Sequence, residues 1–259
     1  MNPVCNLKVF SAILFGVVDD ILKISEILRV SEQGCSQPFL CKDEKGDEYW
    51  CKGVNAGLRS VRNEWICANV AKVLGLPVPN FAIAKVPYNL FSTWKIAMNA
   101  DVPQLITESN PFVFASLNVA EVKDVLNRVE LASIERYLQA KIVLFDAFIR
   151  NLDRSEFNSN LLVTIGLEKA LYIIDHNLAF DEKFDKQTFL REHILRESLP
   201  EVSGEEKERF WKFIGETFSE KFLETVWNGM PDEWVDDEGA ESHKKQVQNA
   251  IKEAGNDWR

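Results

Sequence analysis

Hydrophobic and polar positions follow two regimes along this chain, and the change falls near Leu117. From Ile21 to Val54, runs rich in β-branched and aromatic residues (ILKISEILRV, PFLCKD, EYWCKGV) are separated by the turn-like SEQGCSQ and EKGD. This predicts a small antiparallel sheet. Val61, Trp65 and Ala68 then recur one turn apart, opened by Ser60 and stopped by Gly75, which predicts a helix over residues 60 to 74. Prolines at 77, 79 and 87 bracket a strand at Phe81–Lys85, and PFVFASL, residues 111 to 117, reads as another. The segment between those two strands has no regular pattern.

Beyond Leu117 the period becomes helical. Helices are predicted at 121 to 127, at 131 to 149, at TFLREHIL, over Glu205 to Trp227 and over Glu241 to Ala254. In the fourth, Phe210, Trp211, Phe213, Ile214, Phe218, Phe222 and Val226 form an aromatic-rich core stripe, and Pro231 ends it. DEWVDDEGAE reads as a solvated connection. The expected fold is α+β with two lobes: residues 1–117, a sheet with one helix, and the mainly helical residues 118–259, with a hinge at Ser116 to Val119.

The chemistry concentrates between Phe145 and Phe180, FDAFIRNLDRSEFNSNLLVTIGLEKALYIIDHNLAF. LLVTI and ALYII predict a hairpin around a turn containing Gly166. Antiparallel pairing would set Asn160, before the first strand, about 5 Å by Cα from Asp175, after the second. Asp153 lies on the loop leading in. Converging hard oxygens suit Mg²⁺ that substrate phosphates also hold, and a loop carboxylate beside them suits acceptance of a hydroxyl proton.

Charge narrows the partners. A formal net charge of −10 and the lack of a dense Lys/Arg run argue against non-specific nucleic acid or anionic membrane binding. The five cysteines, Cys5, Cys35, Cys41, Cys51 and Cys67, are widely spaced without a CxxC pair, as expected of reduced thiols in a cytoplasmic protein. The apolar run Val9 to Val18 is too short to span a bilayer and reads as a core element. Lys52, inside an apolar and aromatic strand, needs solvent or an anion, and Glu64 borders the apolar stripe of the following helix, where it could pair with Lys52.

With Lys52, Glu64, the N-x-D-R of RNLDR, the N-x-N-L-L of NSNLL and IDHNLAF in place, residues from about Ile24 to His193 resemble the HipA-like kinases, within the protein-kinase-like superfamily. The resemblance implies ATP and Mg²⁺ as cofactors and transfer of the γ-phosphate to a Ser/Thr hydroxyl of a protein. It implies that Lys52 grips phosphates, Glu64 orients Lys52, Asp153 is the catalytic aspartate, and Asn160 and Asp175 hold the metal. His176 and Asn177 stand where many kinases have Phe-Gly. The common kinase spacing would instead select Asn158, which stays open as the metal ligand.

The phosphate loop departs from a GxGxxG pattern, leaving Gly34, Cys35, Ser36 and Gln37 as the expected equivalents, with Ser36 a candidate for autophosphorylation. Backbone groups of Ala115, Ser116 and Leu117 are expected at the adenine edge. The chain is shorter than a full toxin-type HipA, so an antitoxin or other regulatory partner is left open. A phosphatidylinositol-type lipid kinase, an AMP transferase and a nucleotide-binding pseudokinase acting as an interaction module are the alternatives.

Overall fold

The computed structural model describes residues 21–32, 36–98, 101–124, 131–165 and 169–254. The apolar run at Val9 to Val18, the loop residues Gly34 and Cys35, and Gly166 lie outside them. The strands β1 (Leu22–Val30), β2 (Phe39–Asp43), β3 (Glu48–Lys52), β4 (Phe81–Lys85) and β5 (Phe112–Leu117) match the five runs read from the sequence. Their order is β1-β2-β3-β5-β4, with antiparallel neighbours and a two-pair parallel contact between the start of β1 and the end of β4. Alternation sends Ile24, Ile27, Phe39, Cys41, Cys51, Val113 and Ala115 into one core cluster. Cys41, Cys51 and Cys67 are free and buried.

Helix α1 (Leu58–Val73) follows β3 after a short turn through Gly53 and Gly57. Its start precedes Ser60 because Gly57, at φ 84°, provides the cap. Gly53 is sterically required: a Cβ there would lie 2.1 Å from the Leu105 carbonyl oxygen. Inward residues of α1, including Val61, Ile66, Cys67 and Val70, join the larger core formed with the C-terminal helices. The unpatterned stretch contains helix α2 (Tyr88–Met98), which buries Phe91 in the sheet's core and places it and Trp94 edge-on to Phe39.

Four expectations after Leu117 are corrected. Of the helix expected at 121 to 127, residues 125–127 lie outside the described residues, and Val122–Asp124 is instead strand β6, which pairs with β7 (Leu161–Thr164); β7 pairs with β8 (Leu171–Ile173) as the expected hairpin. Backbone bonds of β6 are satisfied across the sheet, and three residues are too few to reveal a period. Helix α3 (Arg136–Phe148) and α4 (Lys186–Glu192) stand close to their expected positions. The long helix is broken into α5 (Gly204–Thr217) and α6 (Glu220–Asn228), since Phe218 leaves helical geometry at φ −90°, ψ 60° and Ser219 is extended. The stripe survives because Phe218 still packs edge-on to Phe222 and both are buried. Pro231 does not end that helix but caps the short α7 (Asp232–Val235), which buries Trp234 completely; the connection expected to be solvated is therefore anchored in the core at Trp234, while Asp232, Asp236, Glu238 and Gly239 stay exposed. Helix α8 (Ala240–Glu253) closes the described chain. No described helix is long and apolar enough to cross a membrane.

Two buried polar knots fix these parts. The first joins α3 to the loop after it: Asp146 accepts from Arg154 Nε at 2.7 Å, from Asn151 Nδ2 at 3.0 Å, and pairs with His193 Nε2 at 2.9 Å. Asp146, Asn151 and Arg154 have no solvent exposure. Burial opposes ionisation of Asp146, but Arg154 and His193 overcome it and hold the carboxyl well below the usual carboxylate range. The second knot joins α1 to α8. Arg62 donates to the Trp234 carbonyl, to Asp237 and, through Nε, to His243 Nδ1 at 3.1 Å, while His243 Nε2 meets Asn63 Oδ1 at 2.7 Å.

These knots generate two stability predictions. Asp146→Ala leaves Arg154 buried without its carboxylate and should cost about 3–5 kcal/mol in chemical denaturation; a loss below about 1 kcal/mol would contradict that role. Burial, with Arg62 beside it, lowers His243 from 6.5 to about 3. The unfolded chain therefore takes up this proton first as pH falls below 6.5, and its contribution to stability is lost progressively down toward pH 3. Between pH 6.5 and 4.5 this amounts to roughly 2–3 kcal/mol, and His243→Gln should flatten the corresponding slope of unfolding free energy against pH.

Candidate active site

A cleft of about 840 Å³ opens between the five-stranded sheet and the β7–β8 hairpin, within the range that small-molecule sites occupy. Lys52 and Trp50 reach it from the same face of β3, two residues apart. Arg29 lies 4.8 Å above the Trp50 ring, and the Trp50 indole donates to Asn118 Oδ1 at 3.0 Å. Phe114 and Ser116 line the same cleft from the neighbouring strand, and Leu162 and Ile173 line it from the hairpin.

The Lys52 ammonium sits between two carboxylates, 2.5 Å from Glu64 Oε1 and 2.6 Å from Asp175 Oδ1. Glu64 is also fixed by the His176 backbone N–H at 3.1 Å, so one α1 side chain ties β3 to the chain after β8. Burial disfavours the Lys52 ammonium, yet Glu64 and Asp175 more than offset this and raise its pKa. Burial likewise opposes Glu64 ionisation, but Lys52 and the His176 side chain hold its carboxyl below the ordinary range. Asp175 behaves differently: burial pushes it up, Lys52 pulls it down, and Glu64 pushes it up again. Two carboxylates thus share one ammonium, leaving an excess negative charge that a further cation would neutralise.

Opposite Lys52, the polar loop closes around Asp153. Both Asn158 Nδ2, at 2.9 Å, and Asn160 Nδ2, at 3.0 Å, donate to Asp153 Oδ2. Among the described residues, Asp153 Oδ1 accepts no hydrogen bond. Arg154, anchored on Asp146, donates to the carbonyls of Ser159 and Asn160 and so holds the loop from beneath. Asp146 and His193 lie outside every motif read from the sequence; Asn151 and Arg154 belong to the N-x-D-R motif, but their carboxylate partner on α3, Asp146, could not be identified without the fold.

The hairpin register is shifted by one from expectation. Ile173 faces Leu161, and the Ile174 N–H donates to the Asn160 carbonyl at 3.1 Å, so Asn160 stands opposite Ile174 and Asp175 lies one residue beyond. Asn160 at φ 48° and Asp175 at φ 56° both leave the extended ladder for left-handed backbone, which Asn and Asp tolerate better than other non-glycine residues. Ser36 and Gln37 are the described part of the expected phosphate loop, and their carbonyls accept from Asn55 Nδ2 at 2.6 and 3.1 Å. Ala115 is fully buried mid-sheet between Cys51 and Ala82 and does not line the cleft, while the Leu117 N–H donates to the Asn80 carbonyl at 2.7 Å. Among the described residues no group of three or more His, Cys, Asp or Glu side chains is arranged to hold a metal. Any ion here would draw on Asp175, an asparagine oxygen and oxygens of a bound phosphate, a hard-donor set of the kind Mg²⁺ takes.

No curated protein sequence matches the chain. Among solved structures it is similar to the golgi casein kinase, with 12% identity over 93% of this chain and 74% of that one and a TM-score of 0.50. It also matches the Helicobacter pylori proinflammatory kinase CtkA, with 13% identity, 92% and 95% coverage and a TM-score of 0.49. The Rio2 kinase–ADP/Mg²⁺–phosphoaspartate complex from Chaetomium thermophilum follows at 15% identity, 90% and 72% coverage and a TM-score of 0.42. The first of these likenesses supports a kinase-like fold and no more. Family membership comes from the sequence itself: residues 24–257 match the HipA-like kinase family, and the chain, with its kinase-like α+β fold, belongs to it.

Proposed function

We propose that this protein is an ATP- and Mg²⁺-dependent kinase that phosphorylates a Ser or Thr hydroxyl of a protein, with residues 1–117 and 118–259 acting as two lobes around the cleft. The observation that carries the reading is the shared ammonium of Lys52, 2.5 Å from Glu64 and 2.6 Å from Asp175, facing an Asp153 whose two amide partners engage a single oxygen.

Lys52 binds the α- and β-phosphates, and Glu64 keeps the ammonium at that height. The nucleobase lies under Trp50 and over Leu162 and Ile173, with its polar edge toward the chain at Leu117 to Val119. Ala115, the Leu117 N–H and the Asn118 N–H, which donates to the Glu48 carbonyl, are already engaged, so the contacts move toward the Asn118 carbonyl and Val119. Asp175 and an asparagine oxygen, from Asn160 or Asn158, would hold Mg²⁺, which supplies charge neutralisation for the phosphates. Asn160 is the better placed of the two because its left-handed backbone directly precedes β7.

Asp153 Oδ1 accepts the proton of the acceptor hydroxyl. The deprotonated hydroxyl oxygen of the acceptor bonds to the γ-phosphorus, the bond from phosphorus to the β–γ bridging oxygen breaks, and ADP leaves. The protein's contribution is orientation and charge placement. A pseudokinase module has no need of a lysine, a loop aspartate and a second carboxylate meeting at one rim. The excess of acidic over basic residues, 40 against 30, weighs against a lipid surface.

Incubation with γ-labelled and α-labelled ATP tests the reaction type. Wild type should transfer the γ label to a protein acceptor or to itself, and Asp153→Ala or Asp175→Ala should reduce the rate by roughly 10²-fold or more. Transfer of the α label would make the protein an AMP transferase, and nucleotide binding without turnover would make it a binding module. Phosphopeptide mapping tests autophosphorylation separately: modification at Ser36 in wild type and not in Asp153→Ala is expected, and an unmodified Ser36 in active enzyme would contradict it.

A further inference from the structure

Phe157 is fully exposed, although it lies only four residues after Asp153 and lines the same cleft. It is not on a slack loop. The Ser155 hydroxyl accepts from the N–H groups of Phe157 and Asn158, both at 3.3 Å, and the Ser155 N–H donates to the Asn158 carbonyl at 2.9 Å. Ser155 also bridges to His193, and neighbouring Glu156 is paired with Arg196 at 3.1 Å. The turn is therefore pinned on both sides, and its apex presents a phenyl ring to solvent beside the proposed proton acceptor. Leu178, 57% exposed and three residues after Asp175, lines the cleft as a second apolar group.

An aromatic ring held in water by a rigid turn forgoes the stabilisation that burial would give it, so its position calls for an occupant that covers it. Neither side chain offers a hydrogen bond, so a nucleotide's polar groups gain nothing from them. The exposed charged residues lining this cleft, Arg29, Lys123, Asp124 and Glu156, are two of each sign and select neither charge, while the chain's net charge of −10 disfavours an anionic lipid surface and leaves a polypeptide as the occupant. We propose that Phe157 and Leu178 form an acceptor-selecting lip. It binds an aliphatic or aromatic side chain close in sequence to the phosphorylated hydroxyl and thereby sets that hydroxyl at Asp153. This rests on the protein-kinase reading above and adds the substrate class.

The test uses the full chain with Mg-ATP and a synthetic peptide library carrying one central Ser or Thr, with one flanking position fixed at a time. Wild type should select Leu, Ile, Val, Met or Phe at one or two flanking positions. For a selected peptide, Phe157→Ser and Leu178→Ser should each raise KM about tenfold, leave kcat within about twofold, and flatten the selection. Both residues are exposed, so the variants should fold. Transfer with no apolar preference, or a preference unchanged in both variants, overturns the lip while leaving the kinase reading intact. Transfer to phosphatidylinositol vesicles in place of peptides overturns the lip and the protein acceptor together, and no transfer to any acceptor overturns the kinase reading as well.

Discussion

A single ammonium shared by two carboxylates holds the centre of this protein. Lys52 comes from the sheet, Glu64 from α1 and Asp175 from the end of the hairpin, and their contacts at 2.5 and 2.6 Å bring three distant segments to one point. Removing three charged groups from water is costly, and the arrangement persists only because each is paired and Glu64 gains a backbone N–H as well. The charges do not balance. Glu64 is committed to Lys52, while Asp175 is held less decisively and its carboxyl is pushed upward. A group so placed can exchange one cationic partner for another, as a metal-holding carboxylate beside a phosphate-binding lysine must.

The opposite wall of the cleft rests on a different buried charge. Arg154 cannot be solvated where it lies, and Asp146 is its compensation. Because the same guanidinium also donates to the carbonyls of Ser159 and Asn160, this fully buried ion pair directly shapes the loop that carries Asp153. Asp153 then needs only its two asparagine partners to orient it. Stability and site geometry are linked here through one side chain, and the Arg62–His243 knot, which docks α8 against α1, also reaches the cleft through Asn63, whose Nδ2 donates to the Asn177 carbonyl at 2.8 Å.

Local pattern revealed much of this. The five sheet strands, the hairpin and the pairing of a strand lysine with a helix glutamate are each short-range signals of period and spacing, and the residues they pick out, Lys52, Glu64, Asp153, Asn160 and Asp175, all line one cleft. What escaped was non-local or too short to have a period. Asp146 looks like one polar residue in an apolar helix until Arg154 and His193 are seen around it. Val122–Asp124 acquires its strand character from β7, and Trp234 its burial from packing, so DEWV resembles a solvated tail when read alone. The break at Phe218 leaves no trace because the apolar stripe continues across it. Asn158 and Asn160 remain alike in side-chain geometry, since both donate to the same Asp153 oxygen; only the backbone at Asn160 distinguishes them.

On the proposed reading Asp175 would hold Mg²⁺ beside the phosphates that Lys52 binds. Calorimetric titration of ATP with and without Mg²⁺, in wild type and in Asp175→Asn, addresses it directly. The account predicts that Mg²⁺ strengthens ATP binding to wild type by about tenfold or more, an increment of roughly 1.4 kcal/mol, and that this gain vanishes in Asp175→Asn. An equal Mg²⁺ dependence in the two proteins would contradict it.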